Sequence, residues 1–267
     1  MSETFELLSG EGLPIRGNFD APPGARALVI VVHGFKGFKD WGFFPWVAET
    51  LCNHGFAVCR FNMSRSGIGE NPDAFDRLDL FAHDTYSIQL ADLRTVVAFA
   101  QSRFAGLPTF LLGHSRGGGI ALLGARDVPK LAGVATWSAI SHANRWDDGA
   151  VRDWRRTGWL DVINARTKQN MRMSTAILDD FEAHRDRLDI LHAASLLDVP
   201  LLVIHGANDE SVPAAEAEEI ARRARTSALL IIGKASHTYN AIHPLVDVPF
   251  ALSLAGLVTA HFVRAYS

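Results

Sequence analysis

The strongest constraint on the fold of this chain is a rhythm of short, unbroken apolar runs alternating with stretches of helical periodicity. The run at 27–32, Ala-Leu-Val-Ile-Val-Val, is the clearest of them. A strand with one face in water alternates polar and apolar residues, so an unbroken β-branched run belongs to a strand covered on both faces, as in a parallel sheet. Similar runs stand at 56–61, 109–112, 133–137, 200–206 and 228–232. Between them, Ile88, Leu90, Leu93, Val96, Val97 and Ala100 recur at helical spacing and predict a long amphipathic helix over 84–104. Further helices are predicted over 44–53, 213–225 and 247–263. This alternation predicts an α/β domain of about eight strands, mostly parallel, with helices on both faces. The segments 5–8 and 15–19, with Gly10, Gly12 and Pro14 between them, read as an antiparallel edge hairpin.

A chain of 267 residues is long enough for one such domain with an insertion. Between 139 and 196 the rhythm changes. Trp146, Trp154, Trp159 and Ile163 are interleaved with Asp147, Asp148, Arg152, Asp153, Arg155 and Arg156, and no run there could serve as a central strand. The expected organisation is a core of 1–138 and 197–267 carrying a helical cap insertion at 139–196, apolar beneath and solvated above. At least some of those tryptophans are expected to pack within the insertion itself.

Charge and composition exclude several classes of function. Lys plus Arg number 26 against 29 Asp plus Glu, a net charge of −3, with no basic run to track phosphates, so nucleic acid is not an expected partner. The acidic start of the chain lacks the positive and apolar regions of a secretory signal, and the apolar stretch 245–258 is broken by Asp247 and Pro249. No membrane span is expected, and the location expected is cytoplasmic. Cys52 and Cys59 read as free core thiols, and neither has histidines at metal-ligand spacing. No metal and no cofactor is expected. Gly67 and Gly69 suggest a dinucleotide fingerprint, but the third glycine and the helix start are replaced by Asn71-Pro72.

The chemistry concentrates at Gly113-His114-Ser115-Arg116-Gly117, a G-x-S-x-G motif between the apolar run 109–112 and a helix-compatible stretch. A strand-to-helix turn tight enough to lift one serine above a sheet edge brings backbones too close for side chains, which accounts for the flanking glycines. A serine hydroxyl needs a base, and the base needs a third group to fix its tautomer. Asp209 follows the run at 200–206, and His237 follows the run at 228–232, so both should stand at the same sheet edge as Ser115. Glu210 and Asp198 are the rival acids: Asp198 precedes its strand, and Glu210 is one residue too late to share the direction of Asp209. The oxyanion donors expected are the backbone N–H of Arg116 and, from the loop His33-Gly34-Phe35, the N–H of Phe35. Gly34, Ile140 and Trp159 are the expected substrate-binding residues. His114 is expected to buttress the turn, His205 to be structural or exposed, and the Arg116 side chain has no assigned chemistry.

Taken together, His33-Gly34-Phe35, the elbow at 113–118, His205-Gly206-Ala207-Asn208-Asp209 and Ser236-His237 resemble the α/β-hydrolase superfamily over nearly the whole chain. Within it, the chain is similar to compact serine esterases related to cinnamoyl and feruloyl esterases and to monoacylglycerol-lipase-like hydrolases. The resemblance implies metal-free hydrolysis of a small-molecule ester through an acyl-enzyme, with the cap shaping the acyl pocket. Arg116 departs from the pattern, in which Gln or Met usually follows the serine. A serine aminopeptidase or amidase of the same fold, and a ligand-binding homologue without turnover, are the alternatives.

Overall fold

The computed structural model describes residues 2–72, 74–164 and 167–267. Its strands are β1 (Ser2–Leu8), β2 (Pro14–Asp20), β3 (Leu28–Val32), β4 (Ala57–Phe61), β5 (Thr109–His114), β6 (Leu131–Trp137), β7 (Trp159–Leu160), β8 (Met173–Ser174), β9 (Leu201–Gly206) and β10 (Ser227–Ile232). Its helices are α1 (Phe44–Asn53), α2 (Leu78–Phe81), α3 (Tyr86–Arg103), α4 (Arg116–Gly124), α5 (Asp148–Thr157), α6 (Ala176–Ala183), α7 (Ile190–Ser195), α8 (Ala214–Arg223) and α9 (Phe250–Ala265).

An eight-stranded sheet runs in the order β1-β2-β4-β3-β5-β6-β9-β10. The β1–β2 and β2–β4 pairings are antiparallel, and every pairing from β4 to β10 is parallel. The unbroken character of β3 has the expected cause. Leu28, Ile30 and Val32 enter one hydrophobic core and Val29 and Val31 the other, so both faces of the strand are dry. The first core is closed by Leu90, Leu93 and Val96 of α3, Ile120 of α4 and Ile220 of α8. The second is closed by Val47 and Leu51 of α1 and Leu252 and Ala255 of α9.

The strand order reverses around β3, which has β4 on one side and β5 on the other. At such a switch point the loops leaving the carboxyl ends of neighbouring strands diverge to opposite faces and leave a crevice. The loop after β3 begins at His33, and the turn after β5 carries Ser115. The topology therefore places the two loops the sequence singles out side by side.

The segment 139–196 contains α5, α6 and α7 and a two-stranded antiparallel pairing of β7 with β8. Trp154 is buried, donates its indole N–H to the Met173 carbonyl at 3.1 Å and meets Trp146 edge-on at 5.1 Å. Those two tryptophans pack within this segment. Its buried side chains, Trp154, Met171, Met173, Ile177 and Ile190 among them, are continuous with the core beneath α3 and α4. The sequence reading had no short β7, β8 or α2, because elements of two to four residues are too brief to show a period. It also began the last helix three residues early; Pro249 sits at its N-cap, with helix from Phe250.

Burial separates the tryptophans of segment 139–196 into two kinds. Trp154→Ala should lower unfolding free energy in urea by about 3–5 kcal/mol. Trp159, 39% exposed, should cost roughly 1 kcal/mol or less when replaced by Ala.

Candidate active site

Ser115 joins β5 to α4 with φ 57° and ψ −123°, a conformation that an L-residue holds only under constraint. The constraint is backbone contact. A Cβ at Gly117 would stand 2.3 Å from the Val32 carbonyl oxygen and 2.4 Å from that of His33, and one at Gly113 would stand 2.2 Å from the Gly117 oxygen. The first turn of α4 thus lies directly on the carboxyl end of β3. The Ser115 N–H donates to Trp137 O at 2.8 Å, and its carbonyl accepts the Gly118 and Ile140 N–H groups at 3.0 and 3.3 Å. A Cβ at Gly34 would meet Ser115 Cβ at 2.9 Å, so this expected substrate-binding glycine faces the serine directly.

Asp209 and His237 are brought together. The Asp209 side chain is fully buried, and His237 Nδ1 donates to its two oxygens at 3.0 and 2.8 Å. That bond leaves Nε2 of His237 as the unprotonated nitrogen of a neutral ring. The Ser211 and Val212 N–H groups also donate to Asp209 Oδ1, at 2.9 and 2.8 Å. The rival Glu210 is engaged elsewhere, accepting the His237 backbone N–H at 3.3 Å. Asp198 pairs with Arg225.

Asp209 has one further partner that the sequence reading passed over. His205 is wholly buried at the end of β9, and its Nε2 lies 3.1 Å from Asp209 Oδ2 and 2.9 Å from the Val212 carbonyl. Both are acceptors, so Nε2 carries the proton, and Nδ1 is buried without a partner among the described residues. Burial disfavours the Asp209 charge, but the hydrogen bonds from His205 and His237 outweigh it and hold the carboxyl well below the ordinary range. The signal was the four-residue separation of His205 and Asp209, which brings the two groups together only because the chain turns sharply after β9.

His114 Nε2 donates to the His237 carbonyl at 3.0 Å, with the two rings 4.8 Å apart. The residue before the serine thus steadies the loop that carries His237 as well as the turn itself. Among the described residues the Ser115 hydroxyl has no hydrogen-bond partner.

The loop after β3 is fixed by His33. Its Nδ1 donates to Gly34 O at 2.9 Å and its Nε2 accepts the Met63 N–H at 3.1 Å, a pattern that requires the neutral ring. Burial lowers the His33 pKa to about 4 and that of His114 to about 3, with the positive Arg116 acting in the same direction on His33. Gly37 N–H closes the turn onto Gly34 O at 3.1 Å. The backbone N–H groups of Phe35 and Arg116 donate to no protein acceptor among the described residues.

The side chain of Arg116 is buried. Its guanidinium lies 4.1 Å from the centre of the Phe35 ring and 5.2 Å from that of Tyr86, with Asp84 Oδ2 3.7 Å from Nη1. Ile140 is 3% exposed and packs on Gly119, where a Cβ would stand 3.0 Å from Ile140 Cγ1. Trp159 meets His83 edge-on at 6.0 Å and lies under the Arg172 guanidinium at 5.7 Å. Of the three residues expected to bind substrate, Gly34 faces Ser115 and Ile140 donates its N–H to the Ser115 carbonyl, whereas the ring contacts of Trp159 are with His83 and Arg172. A cavity of about 380 Å³, lined by Ser141, His142, Phe181, Leu188 and Ile190 among others, opens beyond Ile140 between α6 and α7.

Both cysteines are free thiols. Among the described residues, no group of three or more His, Cys, Asp or Glu side chains is placed to hold a metal ion, and no helix is long and apolar enough to cross a membrane.

Comparison with known proteins places this geometry in context. Residues 23–184 match the family model Hydrolase_4, described as "Serine aminopeptidase, S33". The chain is 24% identical over 211 residues to 2,6-dihydropseudooxynicotine hydrolase of Paenarthrobacter nicotinovorans, covering 78% of this chain and 52% of that one. It is 30% identical over 106 residues to a monoglyceride lipase homolog of Monkeypox virus, covering 40% and 35% of the two chains. It therefore spans about half and about a third of the length of these relatives. Among solved structures, Est1E from Butyrivibrio proteoclasticus with bound ferulic acid superposes with a TM-score of 0.76 at 20% identity, over 98% of each chain. The monoacylglycerol lipase of Paleococcus ferrophilus superposes with a TM-score of 0.69 at 17% identity, over 95% of this chain and 99% of that one. These likenesses establish the α/β-hydrolase fold.

The buried neutral histidines set an acid limit on stability. Below an unfolded pKa of about 6.5 the unfolded chain takes protons that folded His33 and His114 refuse until about 4 and 3, so their contribution is complete above that value and is lost as pH falls. Asp84 and Asp92, raised by burial to about 7 and 6, act with the opposite sign in the same window. The stability difference between the natural protein and His114→Asn cancels those carboxyl contributions. Urea unfolding should show that difference shrinking by on the order of 2–3 kcal/mol between about pH 7 and pH 4.5.

Proposed function

We propose that this chain, which belongs to the α/β-hydrolase family described as serine aminopeptidase, is a serine carboxylesterase that cleaves small to medium carboxylic esters through an acyl-enzyme. The observation that carries the reading is the Asp209–His237 pair. A fully buried carboxylate fixes the Nδ1–H tautomer of a histidine whose carbonyl is tied to the residue preceding Ser115.

In this mechanism Ser115 Oγ attacks the ester carbonyl carbon while His237 Nε2 takes the hydroxyl proton. Among the described residues no other group holds the serine hydroxyl, and the mechanism has it turn toward His237 when substrate enters. Asp209 stays ionised and stabilises the imidazolium, its other hydrogen bonds preventing it from following the proton. The N–H groups of Arg116 and Phe35 receive the oxyanion, the first reinforced by the N-terminus of α4. His237 then protonates the departing alkoxide, the alcohol leaves, and a water molecule deprotonated by the same Nε2 cleaves the acyl-serine. The chemistry draws on these side chains and on water, with no cofactor or metal. We place it in the cytoplasm, acting on dissolved small molecules.

The family description gives the aminopeptidase reading its weight. An aminopeptidase needs an anionic group to hold the substrate's free amino terminus. Among the described residues of the insertion, the Asp180 carboxylate is buried, its side chain 8% exposed, but it is engaged, accepting the Ser87 N–H at 3.0 Å and pairing with His184 at 3.0 Å. The buried Asp84 lies outside the insertion and is engaged by Gln89 and Arg116. This favours the ester.

Ser115→Ala should reduce turnover of a p-nitrophenyl ester by about 10⁴-fold or more while leaving the circular dichroism spectrum unchanged. Undiminished turnover would overturn the assignment of the nucleophile. A larger kcat/KM on aminoacyl p-nitroanilides than on esters would overturn the ester reading in favour of the peptidase.

A further inference from the structure

Arg116 is the residue of the elbow that the ester mechanism leaves without a task for its side chain. It stands first in α4, where exposed solvent-facing cations are disfavoured by the positive end of the helix dipole, yet it is 7% exposed and turned inward. Taking a guanidinium out of water is costly, and its one carboxylate neighbour, at 3.7 Å, is beyond good hydrogen-bonding distance. What surrounds it closely is aromatic. The group lies 4.1 Å from the centre of Phe35 and 5.2 Å from that of Tyr86, both inside the range of cation–π attraction.

Each member of this stack is itself anchored. Phe35 stacks on Phe81 of α2 with ring centres 5.4 Å apart and planes at 28°. Tyr86 opens α3 and donates its hydroxyl to the Ala143 carbonyl at 2.9 Å. Asp84, the counter-charge, holds the Gln89 amide. A continuous column thus runs from α2 through Phe35 and Arg116 to α3. The loop it grips is otherwise held by His33, by the Gly34–Gly37 turn and by Lys36, whose Nζ donates to the Ile163 carbonyl at 3.4 Å and lies 5.5 Å from the Phe35 ring centre, farther than Arg116, and whose own φ is 56°. A loop in that conformation needs outside support to keep one N–H aimed within a few tenths of an ångström.

We infer that the Arg116 side chain is a positioning residue for the oxyanion hole, its guanidinium clamping the Phe35 ring so that the Phe35 N–H is held beside the N–H that Arg116 itself supplies. One residue then governs both donors: the first through its own backbone at the start of α4, the second through the stack. The inference rests on the esterase reading of Ser115.

The test is a double-mutant cycle on Arg116→Gln and Phe35→Leu, read by steady-state kinetics on p-nitrophenyl acetate and by the rate at which a fluorophosphonate labels Ser115. The phosphonyl oxygen of that probe occupies the oxyanion position, so its labelling rate reports the hole directly. R116Q should lower kcat and the labelling rate by about tenfold with KM nearly unchanged, and R116K, which keeps a cation over the ring, should recover part of the loss. The double variant should be about as slow as R116Q alone, because both changes break one contact. Burial already holds the Asp84 carboxyl up at about 7, so losing Arg116 leaves a group that takes a proton instead of a stranded charge. Should R116Q nevertheless unfold, the same comparison is made in an Asp84→Asn background. Labelling of R116Q at the natural rate, or losses that multiply in the double variant, would overturn the inference. So would a loss confined to KM for esters carrying a carboxylate, which would make the guanidinium a substrate ligand. Failure of the natural protein to label at Ser115 would overturn the esterase reading, and the inference with it.

Discussion

The whole site depends on a contact between backbones, that of the first turn of α4 with the carboxyl end of β3. Gly117 lets the Val32 and His33 carbonyls approach to distances at which any Cβ would collide. That approach fixes how far α4 sits above the sheet, and therefore where the turn at Ser115 must close. A positive φ at a serine costs on the order of 1–3 kcal/mol, and the cost is borne by the packing of β3, β5 and α4 on both sides of the turn. The same contact sets Gly34 against Ser115. Ser115 and the loop after β3 are thus placed by one geometric fact, with no flexible linkage between them.

The opposite side of the site is organised by charge. Asp209 is a carboxylate removed from water, and a buried charge is tolerated only when its lone pairs are occupied. Two backbone N–H groups and two histidines occupy them. The histidines differ in kind: His205 is sealed in the core, whereas His237 keeps part of its ring accessible. Both hold the carboxylate, and of the two only the ring of His237 is open to a substrate. His114 closes the ring of constraints by tying the His237 loop to the elbow, so displacement of either end is felt by both.

The fold was legible in the sequence because its determinants are local. Unbroken apolar runs declare two-faced burial, and G-x-S-x-G after such a run declares a turn without room for side chains. Ser115, Asp209 and His237 could be named because each follows a strand of one parallel sheet, so chain order alone puts them at one edge. The contacts of His205 and of the Arg116 side chain were hidden for the converse reason. His205 ends a strand whose other residues are apolar core, and its direction toward Asp209 depends on the turn at 206–209. Arg116 meets Phe35, Asp84 and Tyr86, all distant in sequence, and no periodicity announces a guanidinium turned inward at a helix start. Trp159 likewise meets residues distant in sequence, its ring contacting His83 and Arg172.

The central claim, that an acyl group passes through Ser115, is tested most directly by quenching the enzyme in acid within its first turnovers on p-nitrophenyl acetate and measuring the intact mass, followed by peptide mapping. The account predicts an adduct of one acetyl group per chain, on the peptide containing Ser115, which disappears as the substrate is exhausted. Sustained turnover with the acetyl group on another residue, or with no adduct under conditions where deacylation limits the rate, would contradict it.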